Sequence, residues 1–309
     1  MNFQTKSLLK NLYHRQKNYY QQGNKYMYQS LVTRTIIILI SLLILVVIML
    51  PILLKSLGLH PDFDSKIFKL DGRKALIIAS SHNVLNLPGE VRGKQTGVAS
   101  SELTVPYYEF MNSGIDVDLA SIKGGEIPID RETLYYFIRT SSDKKFQNDV
   151  EAMNKLRNSM IIDNIDFTDY DLIFIAGGWG AAYDLGFSET LGTKISQAYY
   201  ADKIIGAVCH GPLGLLKAKD KNGNLLIAGR NMTGVTDKQV KELGIEMTPL
   251  HPEIELRKAG VVFESKTKFR DIFANHIVVD QEQRFVTGQN QNAGHETAQK
   301  MMSILASGE

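Results

Sequence analysis

From Lys74 onward the chain alternates short apolar runs with stretches whose apolar residues recur every three or four positions. Residues 75–79, 115–120 and 172–176 read as strands, as does the run Ile204-Ile205-Gly206-Ala207-Val208 ahead of Cys209. The 172–176 run is apolar without a break, as expected of a strand covered on both faces. Helical spacing is found over 101–111, 149–157, 188–200, 237–243 and 293–305, with short strands expected near Val261 and Ile277. Such alternation predicts an α/β protein built on a doubly wound, mostly parallel sheet, whose ligand sites form at the carboxyl ends of strands.

One segment breaks this rhythm. Residues 35–54 are uncharged, and only Thr35, Ser41 and Pro51 among them are not strongly apolar. As a helix the run is about 30 Å long, the thickness of a bilayer core, and it is apolar on every face. It predicts one transmembrane helix and the lipid bilayer as a partner. Residues 1–34 carry Lys6, Lys10, Arg15, Lys17, Lys25 and Arg34 with no Asp or Glu. The positive-inside rule places this basic tail in the cytoplasm and the rest of the chain outside. The leader is long for a cleavable signal peptide, so an uncleaved signal anchor in the cell membrane is expected. The domain plan is a tail over 1–34, an anchor over 35–54, a linker over 55–71 and a catalytic domain over 72–309.

Charge changes the picture only once the tail is set aside. Six of the 35 basic residues lie in it, so the remainder is slightly acidic against 33 Asp and Glu. No basic stripe for nucleic acid is left. A single cysteine rules out an intramolecular disulfide, and the seven histidines lack paired metal-ligand spacing.

That cysteine is the main candidate for chemistry. Cys209 ends an apolar strand and is followed by His210-Gly211-Pro212, a turn able to open a helix. At such an elbow the backbone N–H groups of a helix N-terminus favour a thiolate, so a lowered thiol pKa is expected. Two further segments fall at strand ends. Gly177-Gly178-Trp179-Gly180 follows the 172–176 strand and lets N–H groups turn toward a ligand. Glu102 opens the helix after the first strand.

These segments resemble a known family. Ala207-Val208-Cys209-His210-Gly211-Pro212, Gly177-Gly178-Trp179-Gly180 with Asp184-Leu185, and Lys94-Gln95-Thr96-Gly97 leading to Glu102 and Pro106 match the PfpI-like (Parkinson-associated deglycase) superfamily. So do Asp118-Leu119-Ala120-Ser121, Gly124-Gly125-Glu126-Ile127-Pro128-Ile129-Asp130 and Val286-Thr287-Gly288-Gln289-Asn290. The heat-shock chaperone/glyoxalase III subgroup is the nearest. The resemblance covers about 72–307. It implies a flavodoxin-like, glutamine-amidotransferase-like fold, often a homodimer, and a cofactor-independent enzyme converting a small dicarbonyl, methylglyoxal, to D-lactate. It also implies Cys209 as nucleophile, Glu102 as acid/base, His210 as the neighbouring histidine, and the N–H groups of Gly178 and His210 as an oxyanion pocket.

The chain departs from the family in three places. Relatives carry an acid that orients the histidine, where this chain has Gln239 and Val240; Asp237 is the candidate third triad member, with Glu242 behind it. Ala99-Ser100 ahead of the glutamate implies a roomier pocket, and Trp179 stands where a histidine is commoner. Other functions open to a cysteine elbow are a stress-related chaperone or deglycase, a redox sensor and a cysteine-dependent hydrolase. An amidotransferase would need His251-Pro252-Glu253 as its His-x-Glu, but this motif follows Cys209 too closely and reads instead as a helix start with Pro252 in the first turn.

Overall fold

The computed structural model describes residues 3–308. The chain forms two compact units that divide between Leu53 and Leu54. The first is the greater part of a continuous helix, Phe3–Leu57, whose apolar side chains from Ile36 to Met49 are exposed. It contains a stretch long and apolar enough to cross a membrane. The helix also takes in the basic tail, to which the hydrophobic pattern assigned no element. Extending an existing helix costs far less than nucleating one, so the apolar run can carry its flank into the same helix.

The second unit is a seven-stranded sheet flanked by helices. Its strands are β1 (Lys74–Ala79), β2 (Asp116–Ser121), β3 (Met160–Ile161), β4 (Leu172–Ile175), β5 (Ile204–Val208), β6 (Ile277–Val279) and β7 (Phe285–Gly288), in the order β6-β7-β5-β4-β1-β2-β3. All neighbours pair parallel except β6 with β7. The expected mostly parallel α/β sheet is therefore present.

Alternate residues of each strand feed opposite layers. Leu76, Ile78, Ile173, Ile175 and Ile205 pack with Leu191, Ile195 and Ala198 of the helix Glu189–Tyr200. Ala75, Ile77, Leu172 and Phe174 face the other way, against Leu103, Tyr107 and Phe110 of Ser100–Asn112 and Met301 of Gly294–Ser307. Gly206 lets that last helix come close, because a Cβ there would lie 2.2 Å from the Met301 sulfur.

Four details differ from the pattern-based reading. The strand near Val261 leaves the main sheet and pairs with Asn231–Met232. β3 and the helix Ser141–Asn148 are too short or too polar to show hydrophobic periodicity. The turn after Cys209 opens only a five-residue 3₁₀ segment, Gly211–Leu215, rather than an α-helix. Finally, the linker is fastened to the domain. Leu59 and Leu70 are buried, Phe63 stacks on His295, and Lys66 exchanges backbone hydrogen bonds with the Gln299 side chain at 3.1 and 3.0 Å.

Candidate active site

The strand order reverses about β1 and β4: β2 lies on one side of β1, and β4 and β5 follow on the other. The three segments singled out in the sequence leave the carboxyl ends of these strands, beside the switch point where open α/β sheets bind ligands.

Cys209 holds φ +58°, a left-handed conformation that costs a non-glycine residue about 1–3 kcal/mol. Its neighbours impose it. The Cys209 N–H donates to the Gly288 carbonyl at 2.9 Å, and the Cys209 carbonyl accepts from the Val235 N–H at 2.9 Å. Gly211 must lack a side chain, because a Cβ would sit 2.2 Å from the Ile175 carbonyl oxygen. The thiol is thus turned off the sheet into a shell formed by Trp179, Val235 and Val240, and the residue is only 6% exposed.

Glu102 reaches the same point from the first turn of Ser100–Asn112 and is 1% exposed. Its Oε2 accepts the Gly177 N–H at 3.0 Å, and the Cys209 thiol and the Gly178 N–H lie near enough to favour its charged form. A Cβ on Gly177 would lie 2.6 Å from that same Oε2, and Gly178 sits at φ +86°. The double glycine is therefore what lets the β4 turn pass between Glu102 and Cys209. The backbone N–H groups of Gly178 and His210 lie near enough to the Cys209 sulfur to favour its charged form.

The electrostatics correct one expectation. Burial, the larger effect, pushes the Glu102 carboxyl up to about 8 against the pull of the thiol and the two glycine N–H groups. Burial also pushes the Cys209 thiol up, followed by the charge and hydrogen bond of Glu102, while the Gly178 and His210 N–H groups pull the other way. The resting thiol is therefore raised rather than lowered. A single 3₁₀ turn aligns too few peptide dipoles to offset removal of the sulfur from water.

His210 places Nδ1 3.3 Å from the Cys209 sulfur and packs its ring against Trp179, centroids 4.9 Å apart. Burial, with a smaller contribution from His251, lowers its pKa to about 3, so the imidazole is neutral. Its Nε2 is buried without a hydrogen-bond partner. Asp237 does not supply one: it pairs with Lys241 at 2.7 Å and with Nδ1 of His251 at 3.3 Å. Glu242 instead accepts the Asp271 N–H at 2.7 Å, and Gln239 accepts from the Asn290 side chain at 3.1 Å. The third triad position beside His210 is thus empty of acid, because the helix Asp237–Leu243 turns its carboxylates away. His251 does precede a helix, Pro252–Lys258, as its sequence indicated.

These groups line a mainly apolar cavity of ≈ 240 Å³ that also touches Ala99, Thr133 and Ile138. Its size suits a small molecule. Leu59 and His60, from the segment read as a plain linker, complete the wall. Their sequence signal was slight: Gly58 as a helix stop, then one histidine ahead of a proline.

An elbow cysteine beside a buried glutamate, at the switch point of a parallel sheet, defines a class of α/β proteins with a thiol site. The chain belongs to the DJ-1/PfpI family, whose sequence model matches residues 94–303. It is 28% identical over 247 residues to a glutathione-independent glyoxalase of Schizosaccharomyces pombe, covering 76% of this chain and 96% of that one. Among solved structures, glyoxalase III from Candida albicans superposes with a TM-score of 0.67 at 27% identity, over 75% of this chain and 96% of that chain. The Francisella tularensis Rapid Encystment Protein gives 0.69 at 29% identity, over 75% and 99%.

Proposed function

We propose that the protein is a membrane-anchored, glutathione-independent glyoxalase that converts methylglyoxal or a related 2-oxoaldehyde to a 2-hydroxy acid. The observation carrying this reading is the Glu102 carboxyl buried beside Cys209, with its Oε2 on the Gly177 N–H, where desolvation pushes it up to about 8. A group that exchanges a proton near neutral pH is what an isomerisation between adjacent carbons requires. The family membership, the glyoxalase names of its relatives and the small cavity support the same reading.

The Cys209 sulfur bonds to the aldehyde carbon, and the thiol proton ends on the aldehyde oxygen, giving a hemithioacetal. The N–H groups of Gly178 and His210 stabilise charge on that oxygen during addition. Glu102, as carboxylate, removes the proton from the former aldehyde carbon to form an enediol and returns one to the adjacent carbon. The result is a 2-hydroxy thioester. Water then cleaves the thioester, releasing D-lactate and restoring the thiol. No redox partner is consumed, because oxidation of one carbon balances reduction of its neighbour.

The apolar run 35–54 serves as the anchor, with the basic tail in the cytoplasm and the catalytic domain on the other side; the charge asymmetry supports this orientation. A raised, buried thiol weighs against a redox sensor, which depends on an accessible thiolate. The decisive experiment is D-lactate formation from methylglyoxal by the full chain in detergent, without added glutathione. Turnover lost in Cys209→Ser is the expected result; turnover unchanged in that variant would overturn the assignment.

A further inference from the structure

The wall of the cavity contributed by the juxtamembrane segment holds a histidine with no evident structural duty. The helix Phe3–Leu57 ends in a Schellman turn: the Gly58 N–H donates to the Lys55 carbonyl at 2.9 Å and the Leu59 N–H to the Leu54 carbonyl at 3.0 Å. Gly58, at φ +112°, is packed so tightly that a Cβ would lie 2.8 Å from the Phe273 carbonyl oxygen. Directly after this fixed turn, His60 adopts φ +46°, although it is neither glycine nor free of the restraint its following proline imposes. That strain is held in place by Asn292, whose Oδ1 accepts the His60 N–H at 2.8 Å while its amide donates to the Ile272 and Ala274 carbonyls, each at 2.9 Å.

The held conformation sets His60 in the wall of the cavity, and its Nε2 is shielded from solvent and has no hydrogen-bond partner. Leaving such an atom unpaired is unfavourable, and a ligand oxygen placed against it would remove that penalty. Burial lowers the pKa of this imidazole to about 4, so it is neutral and able to donate one N–H to a carbonyl oxygen. A 2-oxoaldehyde brings two oxygens. The Gly178 and His210 N–H groups serve the one on the carbon attacked by Cys209, and the second still needs a donor. Among the described cavity-lining residues, His210 is the other with a buried, unpartnered side-chain nitrogen, but its ring is engaged by the sulfur and by Trp179.

We propose that His60 is a substrate-positioning residue, donated to the active site by the juxtamembrane segment, whose Nε2 binds the second oxygen of a 2-oxoaldehyde. This rests on the glyoxalase reading for its substrate class, and it makes the segment after the apolar helix part of the site rather than a spacer.

The test uses the full chain in detergent, with methylglyoxal as probe and two readouts. The first is the methylglyoxal concentration that half-protects Cys209 from iodoacetamide, which needs no turnover. The second is kcat and KM for D-lactate formation. His60→Ala is expected to raise the half-protecting concentration and KM together by about tenfold, as for loss of one hydrogen bond, with kcat within about threefold. His60→Gln, which keeps a side-chain N–H, is expected to restore both to within about threefold of the parent. Unchanged protection in His60→Ala overturns the inference. So does an equal shift in both variants accompanied by a lowered melting temperature, which marks a purely structural role. If the parent forms no lactate yet its protection depends on His60, the glyoxalase reading falls and the positioning role stands. If methylglyoxal gives the parent no protection, the positioning role falls.

Discussion

The two ends of the central sheet handle buried polar groups in opposite ways. At the amino ends of β5 and β7, Arg230, Asp280 and Arg284 all find charged partners. Arg230 bonds Asp280, Glu282, the Tyr199 hydroxyl and the Leu226 carbonyl, and Arg284 bonds Asp202 and the carbonyls of Lys203 and Tyr199. Asp280 is fully buried yet also accepts the N–H groups of Arg284 and Phe285 at 2.7 and 2.8 Å. At the carboxyl ends, Glu102, Cys209 and His210 are equally buried, but among the described residues no cation pairs with Glu102, His210 keeps an unpaired nitrogen, and Cys209 is strained. One end spends its polar groups on cohesion. The other leaves them underbonded, where a substrate can complete them.

The largest effect that would sharpen this contrast is on turnover. Glu102→Gln should keep the fold and lower lactate formation by about 10²–10⁴-fold, roughly 3–5 kcal/mol of barrier. Cys209→Ser should be at least as severe, and the double variant little worse than the worse single one, since the two act as a unit. Near-full turnover in Glu102→Gln would break the mechanism. At the other end of the sheet, Arg230→Ala should cost about 3 kcal/mol of stability by stripping the buried Asp280 of its cation, with kcat per folded molecule unchanged. A large fall in kcat there, without destabilisation, would erase the distinction between the two ends.

The dependence of stability on pH offers a third test. Glu102 titrates at about 8 in the folded chain against an ordinary value of 4.5, so between those values the folded state holds a proton that the unfolded chain has lost. Its contribution is therefore greatest at the acid end of the window and declines as pH rises toward 8, by a few kcal/mol at most. His210 and His60, held neutral to about 3 and about 4, act in the opposite sense and cost stability as pH falls below 6.5. Denaturant melts of the parent and Glu102→Gln between pH 5 and 8 should differ by a declining curve; a flat difference would show Glu102 to be solvated. The smallest effect is on reactivity. Iodoacetamide modification of Cys209 should keep accelerating beyond about pH 8.5, as for a thiol raised by burial, and a plateau near neutrality would mean a thiolate at rest.

Much of this site was legible in the chain. The Cys209 elbow, the Gly177-Gly178 turn and Glu102 were each marked by local chemistry: an apolar run that ends in a turn, glycines where backbone must pass closely, an acid at a helix start. The resemblance to the family added their grouping. The acid expected beside His210 was not legible, because whether Asp237 faces it depends on how a seven-residue helix is rotated, and that is settled by packing of Val240 and Gln239 rather than by spacing. The thiol's pKa was read with the wrong sign for a similar reason. The helix-terminus argument is local, whereas desolvation depends on what covers the sulfur.

The apolar helix and the alternation of strands and helices follow from sequence alone, because both rest on where apolar side chains recur along a single segment. The tertiary structure decided what depends on segments far apart in the chain. It brought Glu102, Gly178 and Cys209 together, left Nε2 of His210 without a partner, and fastened residues 58–70 to the domain so that His60 lines the cavity. Periodicity reports which side of an element is buried; it carries no information about which buried side chains meet, or how much water remains between them.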